Sequence, residues 1–100
     1  MNASDWNGVW TTRLSNGVSG SATLSYDTSI DILDGTYSNS VGNGEFRCYP
    51  DPGAPFDCQG PYYQTDGSTG YISMSLHDAE HWYGTYQING GGSGTWSGVR

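Results

Sequence analysis

The chain contains no lysine. Its positive side chains are Arg13, Arg47 and Arg100, set against ten carboxylates, eight of them aspartate, for a net charge of −7. A protein that neutralises phosphates needs clustered Lys and Arg, so this balance excludes a basic nucleic-acid surface. The carboxylates are scattered and fall mostly at turn positions, so they do not make the dense acidic face that mimicry of nucleic acid requires. Charged residues are 13 % of the 100 residues, and the helix formers Ala, Leu, Lys and Glu are scarce, which disfavours helices. No apolar run approaches the roughly 18 residues of a membrane-spanning helix, so no membrane partner is expected. The opening MNASDWNG has no signal-peptide pattern and is read as a mature start behind an initiator methionine.

What is abundant is glycine, with 16 residues, and aromatic side chains, at 14 %. That many rings argue against disorder. Apolar and polar residues alternate along most of the chain. In VSGSATLSY, Val18, Gly20, Ala22, Leu24 and Tyr26 share one face, and Ser19, Ser21, Thr23 and Ser25 share the other. Trp10, Thr12 and Leu14 keep the same period, as do Ile72, Met74 and Leu76, then Trp82, Gly84, Tyr86 and Ile88, then Trp96, Gly98 and Arg100. Period two marks half-buried antiparallel strands.

Turn signals (SNG, YDTS, VGNG, DPGAP, TDGSTG, NGGG) separate these runs. The spacing predicts strands at 8–15, 18–26, 31–38, 43–50, 55–63, 69–77, 81–88 and 93–100. No connection is long enough for a crossover, so neighbours pair as hairpins. The expectation is one all-β domain over 1–100, an antiparallel eight-stranded up-and-down meander barrel, with a β-sandwich as the alternative. Glycines 20, 35, 60, 84, 94 and 98 fall on the inner face. Two readings stay open: they make room for rings opposite, or they hollow the interior for a guest.

Cys48 and Cys58 flank CYPDPGAPFDC. They are either free thiols of a cytosolic protein or a staple across a Pro/Gly hairpin, and the β-like runs on both sides favour the staple. A disulfide implies an oxidising compartment, so a secreted or periplasmic location is expected.

Catalytic chemistry is largely missing. His77-Asp78-Ala79-Glu80-His81 matches H-x-x-E-H, but that zinc motif needs a helix, and here it joins two alternating strands. Asp27, Asp31 and Asp34 lack the EF-hand spacing. Nucleophile motifs and phosphate-cradling loops are absent, and no inner position carries a carboxylate. The chain is read as no enzyme, with no metal and no cofactor.

Gly8-Val9-Trp10 in the first strand, an arginine at the end of the last, and eight strands in meander together resemble the calycin barrels, which include lipocalins, avidins and small metalloprotease inhibitors. The resemblance implies that Trp10 sits at the barrel base with Arg100 packed across it. LDGTYSNSVGN (33–43) is similar to an avidin segment whose tyrosine and serine reach biotin; Tyr37 keeps the tyrosine, and Asn39 stands for the serine. The same likeness places Trp82 and Trp96 as pocket tryptophans. Thr12 and Asn16 replace the avidin asparagine and serine, Ile72 and Leu76 replace tryptophans, and the strand that carries the avidin aspartate has no counterpart, which disfavours biotin itself.

The leading expectation is a secreted binding barrel for a small, partly apolar ligand such as a sugar, an aromatic or a cyclic metabolite. Its ligand residues would be Trp10, Thr12, Asn16, Tyr37, Asn39, Trp82, Tyr86 and Trp96. Two alternatives stand beside it. One is a calycin-type protease inhibitor, or other module binding an extracellular protein through loops or the N-terminal segment. The other is a structural surface domain that forms homo-oligomers through the outward Tyr49, Tyr63, Tyr71 and Tyr83.

Overall fold

The computed structural model describes residues 2–100. Its strands are β1 (Gly8–Leu14), β2 (Ser19–Asp27), β3 (Ile32–Asn39), β4 (Gly42–Asp51), β5 (Ala54–Gln64), β6 (Thr69–Asp78), β7 (His81–Ile88) and β8 (Ser93–Val99). They pair antiparallel in chain order, and β8 returns to pair with β1, closing a barrel. Closure leaves no free sheet edge, which decides the barrel over the sandwich.

The alternation is realised side by side. Trp10, Ala22, Leu24, Leu33, Phe46, Ile72, Met74, Leu76, Trp82 and Trp96 turn inward and are buried. The intervening Ser and Thr face out. An apolar interior inside a polar wall is the reverse of a membrane-spanning barrel, whose outer band is apolar. Tyr49, Tyr63, Tyr71 and Tyr83 stand on the outer face, each about half exposed.

The inner glycines do make room for rings. Trp82 is paired across the ladder with Gly98, and Trp96 with Gly84. Phe46 lies opposite Gly35 and Tyr37 opposite Gly44. In each pair the ring lies over the bare backbone of its partner. A Cβ added at Gly98 would stand 2.2 Å from the Trp82 indole, and one at Gly35 would stand 2.1 Å from Phe46.

Six of the seven hairpins carry the same device. A side-chain oxygen at one residue accepts from the backbone N–H two residues on: Asn16 from Val18, Asp27 from Ser29, Asn39 from Val41, Asp51 from Gly53, Asp66 from Ser68 and Asp78 from Glu80. These Asx turns fix the reversals locally and explain why the aspartates sit where they do. Asp27, Asp66 and Asp78 are held below the usual carboxylate range, chiefly by bonds from Ser29, Ser68 and His81 respectively.

One end of the barrel is shut by the N-terminal segment. Ala3–Trp6 form a single 3-10 turn. Asn2 Oδ1 accepts from Ser4 N (3.1 Å) and Asp5 accepts from Asn2 N (3.0 Å), a reciprocal capping box. The turn drives Trp6 into the barrel, where it is fully buried, and its carbonyl accepts from Trp10 Nε1 at 3.0 Å. Arg100 lies over the Trp10 ring, 3.9 Å from the centroid, and donates to the carbonyls of Asp5, Asn7 and Ala79. Gly8 has φ +130°, and a Cβ there would stand 2.8 Å from Arg100 Nη1. The glycine of G-x-W is thus required twice, once by its backbone and once by the guanidinium.

The N-terminal segment that the inhibitor alternative would use is folded into the barrel base, with Trp6 fully buried there.

Cys48 and Cys58 form a disulfide between β4 and β5, with Cα atoms 5.3 Å apart and both residues inside the barrel. His77 to His81 is a tight hairpin, not a helix: His81 Nδ1 lies 2.9 Å from Asp78 Oδ1, and the His77 ring packs edge-on to Tyr83. Among the described residues no three His, Cys, Asp or Glu gather as metal ligands would. Asp31 accepts from the Tyr26 hydroxyl, and Asp34 pairs with Arg47 at 3.0 Å on the surface.

Candidate functional site

In a meander barrel, alternate hairpins share an end. The β2–β3, β4–β5 and β6–β7 turns lie with the plugged base. The β1–β2, β3–β4, β5–β6 and β7–β8 turns ring the opposite end, which is open. The last inward residues of the four odd strands are Leu14, Asn39, Gln64 and Ile88, and all four line a cavity there of about 180 Å³. Deeper, its walls are Tyr37, Phe46, Tyr62, Ile72, Tyr86 and Trp96, and Asn16 and Val41 complete the rim.

The depth of the cavity is set by a stack of rings along the barrel axis. Trp10 meets Trp82 edge-on at 6.4 Å, Trp82 meets Trp96 at 4.6 Å, and Trp96 meets Phe46 at 5.7 Å and Tyr37 at 6.4 Å. Trp82 and everything below it fill the base half. Above Trp96 the rings draw back against the wall and leave space.

Of the residues singled out from sequence, Asn16, Tyr37, Asn39, Tyr86 and Trp96 meet at this cavity. Trp10, Thr12 and Trp82 do not line it. Each is buried at 2 % exposure or less in the filled half, apart from the cavity. The reason is strand direction: Trp10 and Trp82 open odd strands, so they start at the base. Leu14, Val41, Phe46, Tyr62, Gln64, Ile72 and Ile88 were missed as lining residues. Strand parity was the available signal for the inward members of that set, since the same count that puts Trp10 at the base puts Leu14, Gln64 and Ile88 at the mouth. Trp6 was missed as a plug, though Asn2-x-x-Asp5 ahead of it carries the capping spacing.

The polar groups of the cavity are arranged with little freedom. Tyr37 OH donates to Gln64 Oε1 at 2.8 Å, and Gln64 Nε2 donates to Asp66 Oδ2 at 3.2 Å. Burial, reinforced by Tyr62 and Asp66, pushes the Tyr37 phenol up to about 12. Burial likewise raises Tyr62. Both stay protonated at neutral pH, so neither serves as a base there. Trp96 Nε1 is buried with no partner among the described residues, and an unsatisfied buried N–H costs on the order of 1–3 kcal/mol. The lining carries no carboxylate, histidine or cysteine.

Volume limits what fits. An apolar cavity of roughly 150 Å³ takes up benzene, whereas drug-sized ligands occupy about 300–1,000 Å³. A space of about 180 Å³ that opens at its rim admits one ring and its substituents. Larger depressions on the outer wall, lined by Ser21, Thr23, Thr36, Ser38, Asn43 and Thr65 among others, lie open to solvent.

No described protein family matches the chain, and no curated protein resembles it in sequence. Solved structures do match in shape. A redesigned β-barrel aligns with TM-score 0.79 at 14 % identity, over 98 % of this chain and 93 % of its own. A redesigned barrel bound to DFHBI aligns at 0.78 and 13 %, over 98 % and 97 %. A de novo fluorescence-activating β-barrel aligns at 0.73 and 13 %, over 100 % and 99 %.

The shared feature is the fold. At this identity the likeness fixes the eight-stranded meander and carries no residue roles. None of the three is an avidin or a lipocalin, so kinship with the calycins does not follow from them. The Trp10–Arg100 contact at the base, implied by that resemblance, is present as geometry.

Proposed function

We propose that this protein is a non-enzymatic binding barrel that holds a small, partly apolar guest in its open half. One observation carries the reading. Above Trp96 the edge-on ring contacts run on to Tyr37 and Tyr62, yet with Tyr86 these rings line a ring-sized cavity with side-chain amides at its rim. Protein interiors are close-packed, so rings that served only as filler would close such a space. The barrel that matches at TM-score 0.78 is bound to DFHBI, which supports the reading.

The lack of carboxylate, histidine or cysteine in the lining, and the high-lying Tyr37 phenol, support a binder over an enzyme. The internal disulfide supports an exported protein, secreted or periplasmic. Biotin fits poorly, because the cavity suits one ring and Thr12, a candidate contact for it, is buried outside the lining. A distant place among the calycins rests on the G-x-W glycine, Trp10 and Arg100.

The test is calorimetric titration with toluene, paired with the variant Ile72→Phe, which fills the cavity from its wall. The reading expects saturable binding below millimolar concentration and its loss in the variant with an undiminished unfolding temperature. Equal toluene affinity in the two proteins, or no saturable binding by the native chain, refutes it.

A further inference from the structure

The Asx turns at the two ends of the barrel differ in one respect. At the base the oxygen that caps each turn belongs to aspartate: Asp27, Asp51 and Asp78. At the mouth two of the three belong to asparagine, Asn16 and Asn39. The turn needs only an oxygen, which either residue supplies, so turn geometry does not call for an amide. What asparagine adds is an NH2 group, and both asparagines line the cavity.

The amide orientation is fixed by the turns. Asn16 Oδ1 accepts from Val18 N at 3.1 Å; Asn39 Oδ1 accepts from Val41 N at 2.9 Å and Gly42 N at 3.2 Å. A flipped amide would set donor against donor, so Nδ2 is the end left over in each. Among the described residues neither Nδ2 donates to a protein acceptor. Tyrosine hydroxyls can take either role; side-chain NH2 and indole N–H groups only donate.

We propose, building on the binding reading above, that the guest is an uncharged single-ring molecule recognised through a hydrogen-bond acceptor, a ketone, ester or amide carbonyl, to which Asn16 and Asn39 donate. Charge selects against the other classes. The lining carries no Lys, Arg or His to pair with an anion and no carboxylate to pair with a cation.

The experiment compares acetophenone with α-methylstyrene, which has the same shape with CH2 in place of the carbonyl oxygen. Affinities are measured by calorimetry on the full chain and on N16D/N39D. Aspartate keeps the turn oxygen, as it does at the base, but removes the donor, so the variant is expected to fold with an unchanged unfolding temperature. The proposal expects the ratio of acetophenone to α-methylstyrene affinity to fall at least tenfold in the variant. Binding of both probes with a ratio that N16D/N39D leaves unchanged overturns the donor assignment while sparing the pocket. Binding of neither probe to the native chain overturns the pocket itself, and this proposal with it. Should the double variant unfold, N39D alone is read by the same ratio, with at least a threefold fall expected and an unchanged ratio counting against.

Discussion

Ring and glycine work as a unit in this interior. Trp82 rests on Gly98, and Phe46 on Gly35, at distances where even one methyl group collides. Overpacking of this kind costs about 1–3 kcal/mol, so Gly98→Ala is expected to lose that much in urea unfolding. Gly92, with nothing within 4 Å of an added Cβ, is the control; Gly92→Ala should stay within about 0.5 kcal/mol of the native chain. Equal losses in the two variants would mean that the rings do not press on the opposite backbone.

Tyr37 gives a second handle at this scale. Its phenol ionises near 10 when unfolded and at about 12 when folded. The folded state therefore holds its proton longer, and the contribution is complete below pH 10 and lost as pH rises through the folded value. Tyr37→Phe is expected to flatten the stability profile between pH 10 and 12, measured by urea unfolding at a series of pH values. An unaltered slope would place the Tyr37 hydroxyl in water.

Among the elements, the plug is the one most open to direct challenge. The 3-10 turn brings Trp6 under Trp10, and Arg100 ties three carbonyls around it. Removing a buried tryptophan costs about 3–5 kcal/mol. Trp6→Ala is expected to lower stability by that order in thermal or urea unfolding, and a loss below 1 kcal/mol would show that the base closes without the turn. The strands themselves were legible because period two, punctuated by Asx and glycine turns, persists through nearly every run. Their ends drifted by at most one residue, where the turn oxygen and not the apolar pattern sets the limit. The plug was hidden because four residues are too few for a helical period to show; only the capping spacing betrays it.

At the scale of the whole molecule, the barrel is divided in two by the Trp82–Trp96 contact. Below it the G-x-W start, Trp6 and Arg100 make a sealed base; above it the odd strands end in a rim of Leu14, Asn39, Gln64 and Ile88. The sequence carried the closed fold in its alternation, but the division depends on which end each ring occupies. The avidin-like alignment grouped Trp10 and Trp82 with Trp96 as one pocket. Strand direction separates them, since an inward residue at the start of an odd strand and one at its end lie at opposite mouths. Whether glycines hollow a barrel or seat its rings has no signature in composition; it is settled by cross-strand register, as in the pairing of Gly84 with Trp96.

That division is tested most directly by the four indole N–H signals in a proton–nitrogen correlation spectrum during titration with acetophenone. The account predicts that the Trp96 signal moves first and furthest, saturably, while those of Trp6 and Trp10 hold still. Equal movement of the Trp6 or Trp10 signal, or no saturable movement of Trp96, would contradict a barrel filled at one end and open at the other.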